Sequence, residues 1–390
     1  MRLTGTSAHG VRLPIISKGD DLPSIVAKAV ADAVEAGKLT LKSTDVIGVT
    51  ESIVAKAQGN FVSTEDIGRD VRAKFPGGVV GVVFPIFSRN RFVNILKGIA
   101  TGADKVYVLL SCPTDEVGNP IINLDDIDSI MPAFANGPIA AADFRKLSNN
   151  FLHPFTYMDY MDLYEKAADN IEVYVSSDPR DILKLTDSVI ASEIHARFRT
   201  KKRLEAAGAK VVYTLSDIMT QSIDGSGFNA DYGVLGSNLS TENRLKLFPR
   251  DCAPFVERTR AEIKAATGVA PEVLVYGDGA FKDPICGIWE LADPVVSPAY
   301  TERLGGQPNE IKLKYVADNI FNDLTGEAKT KAVADMIKAK ESGKATFSEG
   351  TTPRKYADLL GSLCDLVSGS GDKGTPVILI QGYFDDYAAE

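Results

Sequence analysis

Histidine and cysteine are scarce in this chain: three histidines and four cysteines among 390 residues. The cysteines, Cys112, Cys252, Cys286 and Cys364, lie far apart and form no CxxC pair. That argues against a disulfide framework and against a structural zinc site, and fits a reducing, cytoplasmic compartment. With only His9, His153 and His195, a mechanism needing several imidazole ligands or bases has few candidates. No apolar run approaches the ~18 residues of a bilayer span, and Met1 to Ile16 lacks the layout of a secretory signal, so no membrane partner is expected. An excess of positive charge is also missing. Lys and Arg number 43 against 52 Asp and Glu, a net charge of −9, which argues against broad nucleic-acid or anionic-membrane binding and leaves room for a local basic pocket. Two phosphate signatures are absent as well: no GxxxxGK[ST] loop occurs, and no GxGxxG stands at a strand–helix junction.

What is present is an alternation of apolar runs and helical segments. Val46–Val49, 78–84 (GVVGVVF), Lys105–Leu110, Ile171–Val175, Lys210–Leu215, Glu272–Tyr276 and Pro376–Gln381 are continuous, β-branched runs bounded by turn residues, the pattern of buried strands. Between them, Ser24–Ala36, Phe92–Ala100, Phe255–Thr267 and Pro353–Leu366 have helical spacing. Alternation of this kind predicts a mixed α/β (α+β) fold, and 390 residues exceed one ordinary core. Cys112–Tyr164, rich in Pro, Asn, Asp and aromatics, breaks the pattern. The expected division is therefore an N-terminal part of a core (1–84), an inserted or extended substrate lobe (85–205) and a C-terminal part carrying the ligand loops (206–390).

Four loops concentrate glycine beside carboxylates or polar residues, where backbone N–H groups approach phosphate closely. They are 224–238 (DGSGFNADYGVLGSN), 276–283 (YGDGAFKD), 348–354 (SEGTTPR) and 368–375 (SGSGDKGT). The second follows a predicted strand, where α/β sheets carry their ligands. There Asp278 is placed to hold a metal and Lys282 to meet phosphate. The bland alternative for each is a plain turn. Oxygen donors without a histidine cluster point to Mg²⁺ or Mn²⁺ rather than zinc, and a hard cation beside glycine loops and lysines suits phosphoryl transfer. Arg89 and Arg91, in SRNR after the run 78–84, are candidates to grip a substrate carboxylate or phosphate, or else surface arginines at a helix start. The basic stretch 197–203 (RFRTKKR) is expected to be a solvated helix face, and His195 a structural histidine.

Several blocks, in order along the chain, resemble the coenzyme F-420 gamma-glutamyl ligase family. They are 13–22 (LPIISKGDDL), 45–59 (DVIGVTESIVAKAQG), 236–249, 276–287 and 366–382 (LVSGSGDKGTPVILIQG). The last is similar to the family's closing LVMGQGDEG motif, and 276–287 falls on its metal-binding loop. The resemblance implies that family's fold with an inserted lobe, an intertwined homodimer, and formation of an amide bond. Its implied partners are ATP or GTP, Mg²⁺ or Mn²⁺, a small-molecule carboxylate acceptor and L-glutamate. Carried over by position, it implies that Leu13, Pro14, Ile15, Ile16, Glu51, Ser52, Lys56 and Asn238 touch the nucleotide. The closing loop Gly369, Ser370, Gly371, Asp372, Lys373 and Gly374 would do so too, with Asp278 on the metal and Lys56 and Lys282 facing phosphates.

The chain departs from the pattern at three polar positions. The family's NAGID reads Asp231-Tyr232-Gly233-Val234-Leu235, a threonine is Gly279, and a Gln or Glu of the closing loop is Ser370. The metal ligand that the resemblance implies at Leu235 is lost, so the ligands either move, to Asp231 or Glu51, or are fewer in number. Two classes follow: an NTP-dependent amide ligase, or a nucleotide-binding sensor or assembly protein that kept the fold and lost the chemistry.

Overall fold

The computed structural model describes residues 4–147, 152, 158–277, 280–282, 289–291, 295–339, 354–369 and 371–388. Its strands build four sheets. In the first, β1 (Ser7–Val11), β16 (Val377–Gln381), β2 (Val46–Thr50), β12 (Glu272–Tyr276) and β15 (Ala299–Tyr300) lie side by side in that order. Only β2 and β12 run parallel, paired from Val46↔Glu272 to Thr50↔Tyr276. β16 is antiparallel to β2, so its first residues share an edge with the last residues of β2 and β12.

Both faces of this sheet are covered, which is why β2 and β12 read as unbroken apolar runs rather than alternating ones. On one face lie α1 (Leu22–Ala36) and the helix Cys252–Thr267, burying Val26, Val30, Val256 and Ile263 against Ile47, Val49, Val273 and Val275. The helix Tyr356–Val367 covers the other with Leu360 and Cys364 on Val46, Leu274 and Ile378. Gly48, in the middle of β2, is required by this packing: a Cβ there would collide with the Cys364 sulfur and the Tyr276 ring. The thiols of Cys112, Cys252 and Cys364 are free and buried, and burial pushes those of Cys112 and Cys252 up to about 12. They pack; they do not react. Cys286 lies outside the described residues.

The second large sheet has six strands. β4 (Val79–Val83), β5 (Lys105–Ser111), β7 (Ile171–Ser176), β8 (Ser188–Ala191) and β9 (Val211–Thr214) are all parallel, and β6 (Ile139–Ala140) is antiparallel at the edge beside β7. Their spatial order is β6-β7-β5-β4-β8-β9. Counted by appearance, the five parallel strands therefore run 3-2-1-4-5, the doubly wound order in which the chain reverses direction between the first and fourth strands. The expected lobe 85–205 supplies β5 to β8, with β4 and β9 on either side of it.

A three-stranded sheet links the two: β3 (Phe61–Ser63) pairs with β11 (Arg244–Lys246), which pairs with β10 (Asn238–Thr241). Its Val62 and Leu245, with Leu247 just past β11, belong to the same core as Val80, Val82, Val106 and Val108 of the six-stranded sheet. The remaining sheet is the hairpin β13 (Ala280–Lys282) and β14 (Trp289–Leu291). α3 (Thr64–Lys74) starts on a capping box, Ser63 and Asp66 each accepting the other's backbone N–H. It packs on α4 (Val93–Gly102), which follows β4.

Every strand and helix expected above is found, with ends shifted by a few residues. The exposed helix expected at 197–203 is the helix Arg197–Ala206, with Thr200 and Leu204 turned inward. No helix among the described residues is long and apolar enough to cross a membrane.

Candidate active site at the carboxyl ends of the central strands

β2 ends at Thr50 and α2 (Glu51–Gln58) begins on the next residue. This abrupt junction puts the first turn of α2 at the edge where β12 ends in Tyr276 and β16 starts. Glu51 in that first turn suits the positive end of the helix, and Gly59, at φ 63°, closes the other end in the left-handed conformation. A cleft of about 290 Å³ opens at this edge, lined by Thr50, Glu51, Ser52, Asn238, Leu239, Lys246, Tyr276, Ser368 and Pro376.

The central feature of the cleft is an ion pair. Lys246 projects from β11 and is nearly buried, its side chain 11% exposed against 3% for Glu51. Its Nζ lies 3.1 Å from Glu51 Oε1 and donates to Ser52 Oγ at 2.6 Å. An ammonium carries three N–H donors. Two are used here, which leaves the third for whatever enters the cleft, as no other partner occurs among the described residues. Nearby backbone is tied down: Thr50 N and the Tyr276 hydroxyl both donate to Pro376 O, at 3.1 and 3.3 Å.

Beside the cleft stands the loop 369–375, closed at its neck by reciprocal bonds between Gly369 and Thr375, 3.3 and 2.9 Å. The N-terminal segment straps it from outside. Leu13 N donates to Gly374 O at 3.3 Å, and Arg12 Nε to Lys373 O at 3.4 Å. Thus 12–13, the α2 start, Asn238 and the closing loop, distant in sequence, are brought to one edge.

Other residues singled out in the sequence lie elsewhere. Ile16 is buried in the core of the five-stranded sheet, while Ile15 is 87% exposed; Pro14 borders a surface groove beside α1. Lys56 is exposed, one helical turn beyond Ser52 on α2, and does not line the cleft. Asp231 is also exposed and away from the cleft lining. Asn229 uses its whole amide on backbone, donating to Phe248 O and Pro249 O and accepting from Asp231 N and Tyr232 N. Gly233, at φ 53°, is pressed so close to the Leu215 and Ile218 carbonyls that no side chain fits, and Leu235 is core. The stretch 229–235 is therefore a packed turn. Arg91 lines a different cavity, in the six-stranded sheet, with Arg89 half-buried beside it. Asp278, Ser370 and the loop 348–353 lie outside the described residues, as does the Lys282 side chain. Tyr276 and Gly277 nevertheless bring the chain to the cleft immediately before Asp278.

Lys246 was missed by the sequence reasoning. It stands in the run LKLFP (245–249) as one charge among apolar residues. A lone lysine inside an otherwise buried strand needs a partner, and that was the available signal.

The family model for F420-0:gamma-glutamyl ligase matches residues 10–382. The chain belongs to this family. Its match takes in both large sheets, the cleft and the closing loop, so the six-stranded sheet lies within the family match. A search of curated proteins finds no match. As a member of a gamma-glutamyl ligase family, the chain has its ligand chemistry placed among small molecules such as glutamate.

Proposed function

We propose that this protein is an amide ligase that uses ATP or GTP and a divalent metal to add L-glutamate, or a similar amino acid, to a small carboxylate acceptor. The observation that carries this is the Lys246–Glu51–Ser52 cluster, with one ammonium donor left over, at the shared carboxyl edge of β2 and β12 beside a glycine loop. A triphosphate suits these groups: the spare N–H of Lys246 would meet a phosphate oxygen, and the amides of Gly369, Gly371 and Gly374 could approach the chain of phosphates without a Cβ in the way. In this reading Glu51 positions Lys246 rather than meeting the ligand.

The acceptor carboxylate oxygen would attack the γ-phosphorus as the bond to the β-phosphate oxygen breaks, giving an acyl phosphate and the nucleoside diphosphate. The glutamate amine would then attack the acyl carbon, losing a proton to solvent as inorganic phosphate leaves. Lys246 would offset the charge that builds on the transferred phosphoryl group, and the strapped loop would exclude water from the acyl phosphate. For the metal, the described residues are insufficient: no group of three His, Cys, Asp or Glu forms among them, and Glu51 is already paired with Lys246. No step is therefore routed through it, and Asp278 is the residue to test. A homodimer belongs to the same proposal. Ile15 and Leu366, 87% and 84% exposed, are its candidate contacts, and light scattering of the purified protein gives the mass.

The test is to incubate the protein with ATP or GTP, Mg²⁺ or Mn²⁺, L-glutamate and a pool of carboxylate acceptors. Glutamate-dependent release of nucleoside diphosphate supports the ligase. A second reading, a nucleotide-binding sensor or assembly protein, is favoured by Leu235, which is 1% exposed in the core where the resemblance expects a metal aspartate. It predicts tight nucleotide binding by calorimetry with no phosphate release under any acceptor.

A further inference from the structure

The lining of the cleft beside α2 is rich in hydrogen-bond donors and poor in ligands for a cation. Glu51 is its one carboxylate and Lys246 its one ammonium. The two are 3.1 Å apart, and Lys246 is only 8% exposed. Hard divalent cations are held chiefly through carboxylate oxygens. A divalent ion on Glu51 would stand against the Lys246 ammonium, like charge beside like charge in a half-enclosed site. The neutral oxygens nearby are engaged as well. Pro376 O accepts from both Thr50 N and the Tyr276 hydroxyl, and Ser52 Oγ accepts from Lys246.

The donors are in the opposite condition. Lys246 has used two of its three N–H groups. Because an ammonium only donates, the Ser52 hydroxyl is the acceptor in that pair and keeps its own hydrogen, for which no acceptor occurs among the described residues. Asn238 stands directly opposite Lys246 in the pairing of β10 with β11, which turns both side chains to one face. Its amide has no partner among the described residues. α2 itself starts at the cleft with no side chain capping it. The first N–H groups of a helix have no acceptor within the helix, and that end carries partial positive charge. Ammonium, hydroxyl, amide and helix start therefore border one space. At about 290 Å³ it is at the small end for ligand pockets, a size for part of a nucleotide rather than the whole.

We propose that the cleft takes the phosphate chain of the nucleotide as a bare anion, met by Lys246, Ser52, Asn238 and the start of α2, so that the nucleotide binds without a divalent metal. The metal is needed for turnover and joins after the nucleotide. This rests on the nucleotide-dependent reading given above and adds to it the order in which the components assemble.

Calorimetry on the full chain tests the order without calling on turnover. ATP, GTP and inorganic tripolyphosphate are titrated in EDTA and again with excess Mg²⁺. Saturable binding of ATP or GTP is expected in EDTA, no more than about threefold weaker than with Mg²⁺, and tripolyphosphate should displace the nucleotide. In EDTA, Ser52→Ala and Asn238→Ala should each weaken binding about threefold to tenfold, the scale of one hydrogen bond to a charged group. Lys246→Met should weaken it by on the order of tenfold or more. Should Lys246→Met fail to fold by circular dichroism, the other two variants decide. Binding that appears only with Mg²⁺, or is at least tenfold weaker in EDTA, overturns the proposal and leaves the nucleotide reading standing. Binding in EDTA that is indifferent to the folded variants overturns it too. No nucleotide binding under either condition overturns both.

Discussion

Two buried glutamates, one beside each large sheet, are stabilised in different ways. Glu51, at the edge of the five-stranded sheet, faces an ammonium: Lys246 lies 3.1 Å away and also donates to the Ser52 hydroxyl at 2.6 Å. Glu193, after β8 of the six-stranded sheet, is 5% exposed and accepts from the Thr200 hydroxyl at 2.6 Å, but no cation pairs with it among the described residues and its second oxygen has no partner there. Desolvation pushes the Glu193 carboxyl up to about 7, Glu116 nearby adds to the rise, and Arg203 only partly offsets it. At the first sheet a charge is kept and compensated in a polar cleft, an arrangement that suits the triphosphate proposed for it. At the second, the surroundings are dry enough to push a carboxyl up to about 7.

The sharpest way to break this comparison is to remove the cation. Lys246→Met takes the buried ammonium away from the Glu51 carboxylate, which should cost up to about 3–5 kcal/mol of stability, read as a lower urea midpoint at unchanged slope. Nucleotide-dependent turnover should fall by on the order of a hundredfold or more, the scale of losing one preorganised charge contact. Lys246→Met with Glu51→Gln should recover much of the stability and none of the turnover. A single variant as stable as the parent would show that Glu51 does not depend on Lys246.

Asp278→Asn probes the same edge. The substitution keeps size and removes charge, so metal-dependent turnover should fall steeply, with extra Mn²⁺ restoring part of it and circular dichroism unchanged. Overlapping metal titrations for the two proteins would remove Asp278 from the proposed site.

These two residues differ in how readable they were. Asp278 follows EVLVY and stands between glycines, a local signal that survives in a single sequence. The partners of Lys246 are 194 and 195 residues away, brought together only because β11 pairs with β3 and β3 follows α2 directly. Pairings of that range leave no periodicity to read. The large elements were legible for the opposite reason, since β2, β4, β5 and β12 are buried on both faces and each reads as one apolar run. Strand order was not legible: nothing in 79–214 announces 3-2-1-4-5. The pocket at Arg91 therefore stayed hidden, although Arg91 itself stood out. Lys56 drew notice through its place in a motif, a cue that carries no information on which way a helical side chain faces.

Glu193 gives the next effect in size. Its folded-state carboxyl titrates near 7, above the ~4.3 of a free glutamate. Between those values the folded protein holds a proton that the unfolded chain has released, so stability declines as pH rises through that window. Glu193→Gln keeps an acceptor for Thr200 and removes the titration. Relative to the parent it should gain about 1–3 kcal/mol at pH 8, with little gain at pH 4.5. Thermal melts across that range check it, and parallel curves for the two proteins would mean that Glu193 ionises normally.

Lys56→Met should give the smallest effect, and it sharpens the comparison from the other direction. Both Lys56 and Lys246 belong to the neighbourhood of α2, and both carry the same charge. Only Lys246 is enclosed, with its stem in a core strand and its head on Glu51 and Ser52. Lys56 is exposed a turn further along the helix. An exposed ammonium keeps its hydration and is screened by salt over ~10 Å or less, so the free energy it lends to a neighbouring phosphate is a fraction of what an enclosed one lends. Stability should change by no more than about 0.5 kcal/mol, and turnover should fall only a few-fold. That deficit should shrink further as salt is raised from 50 to 300 mM, whereas the Lys246→Met deficit should persist. A loss for Lys56→Met equal to that for Lys246→Met, and insensitive to salt, would mean that the nucleotide reaches past the mouth of the cleft to the second turn of α2. The polyanion site would then have two cations and not one.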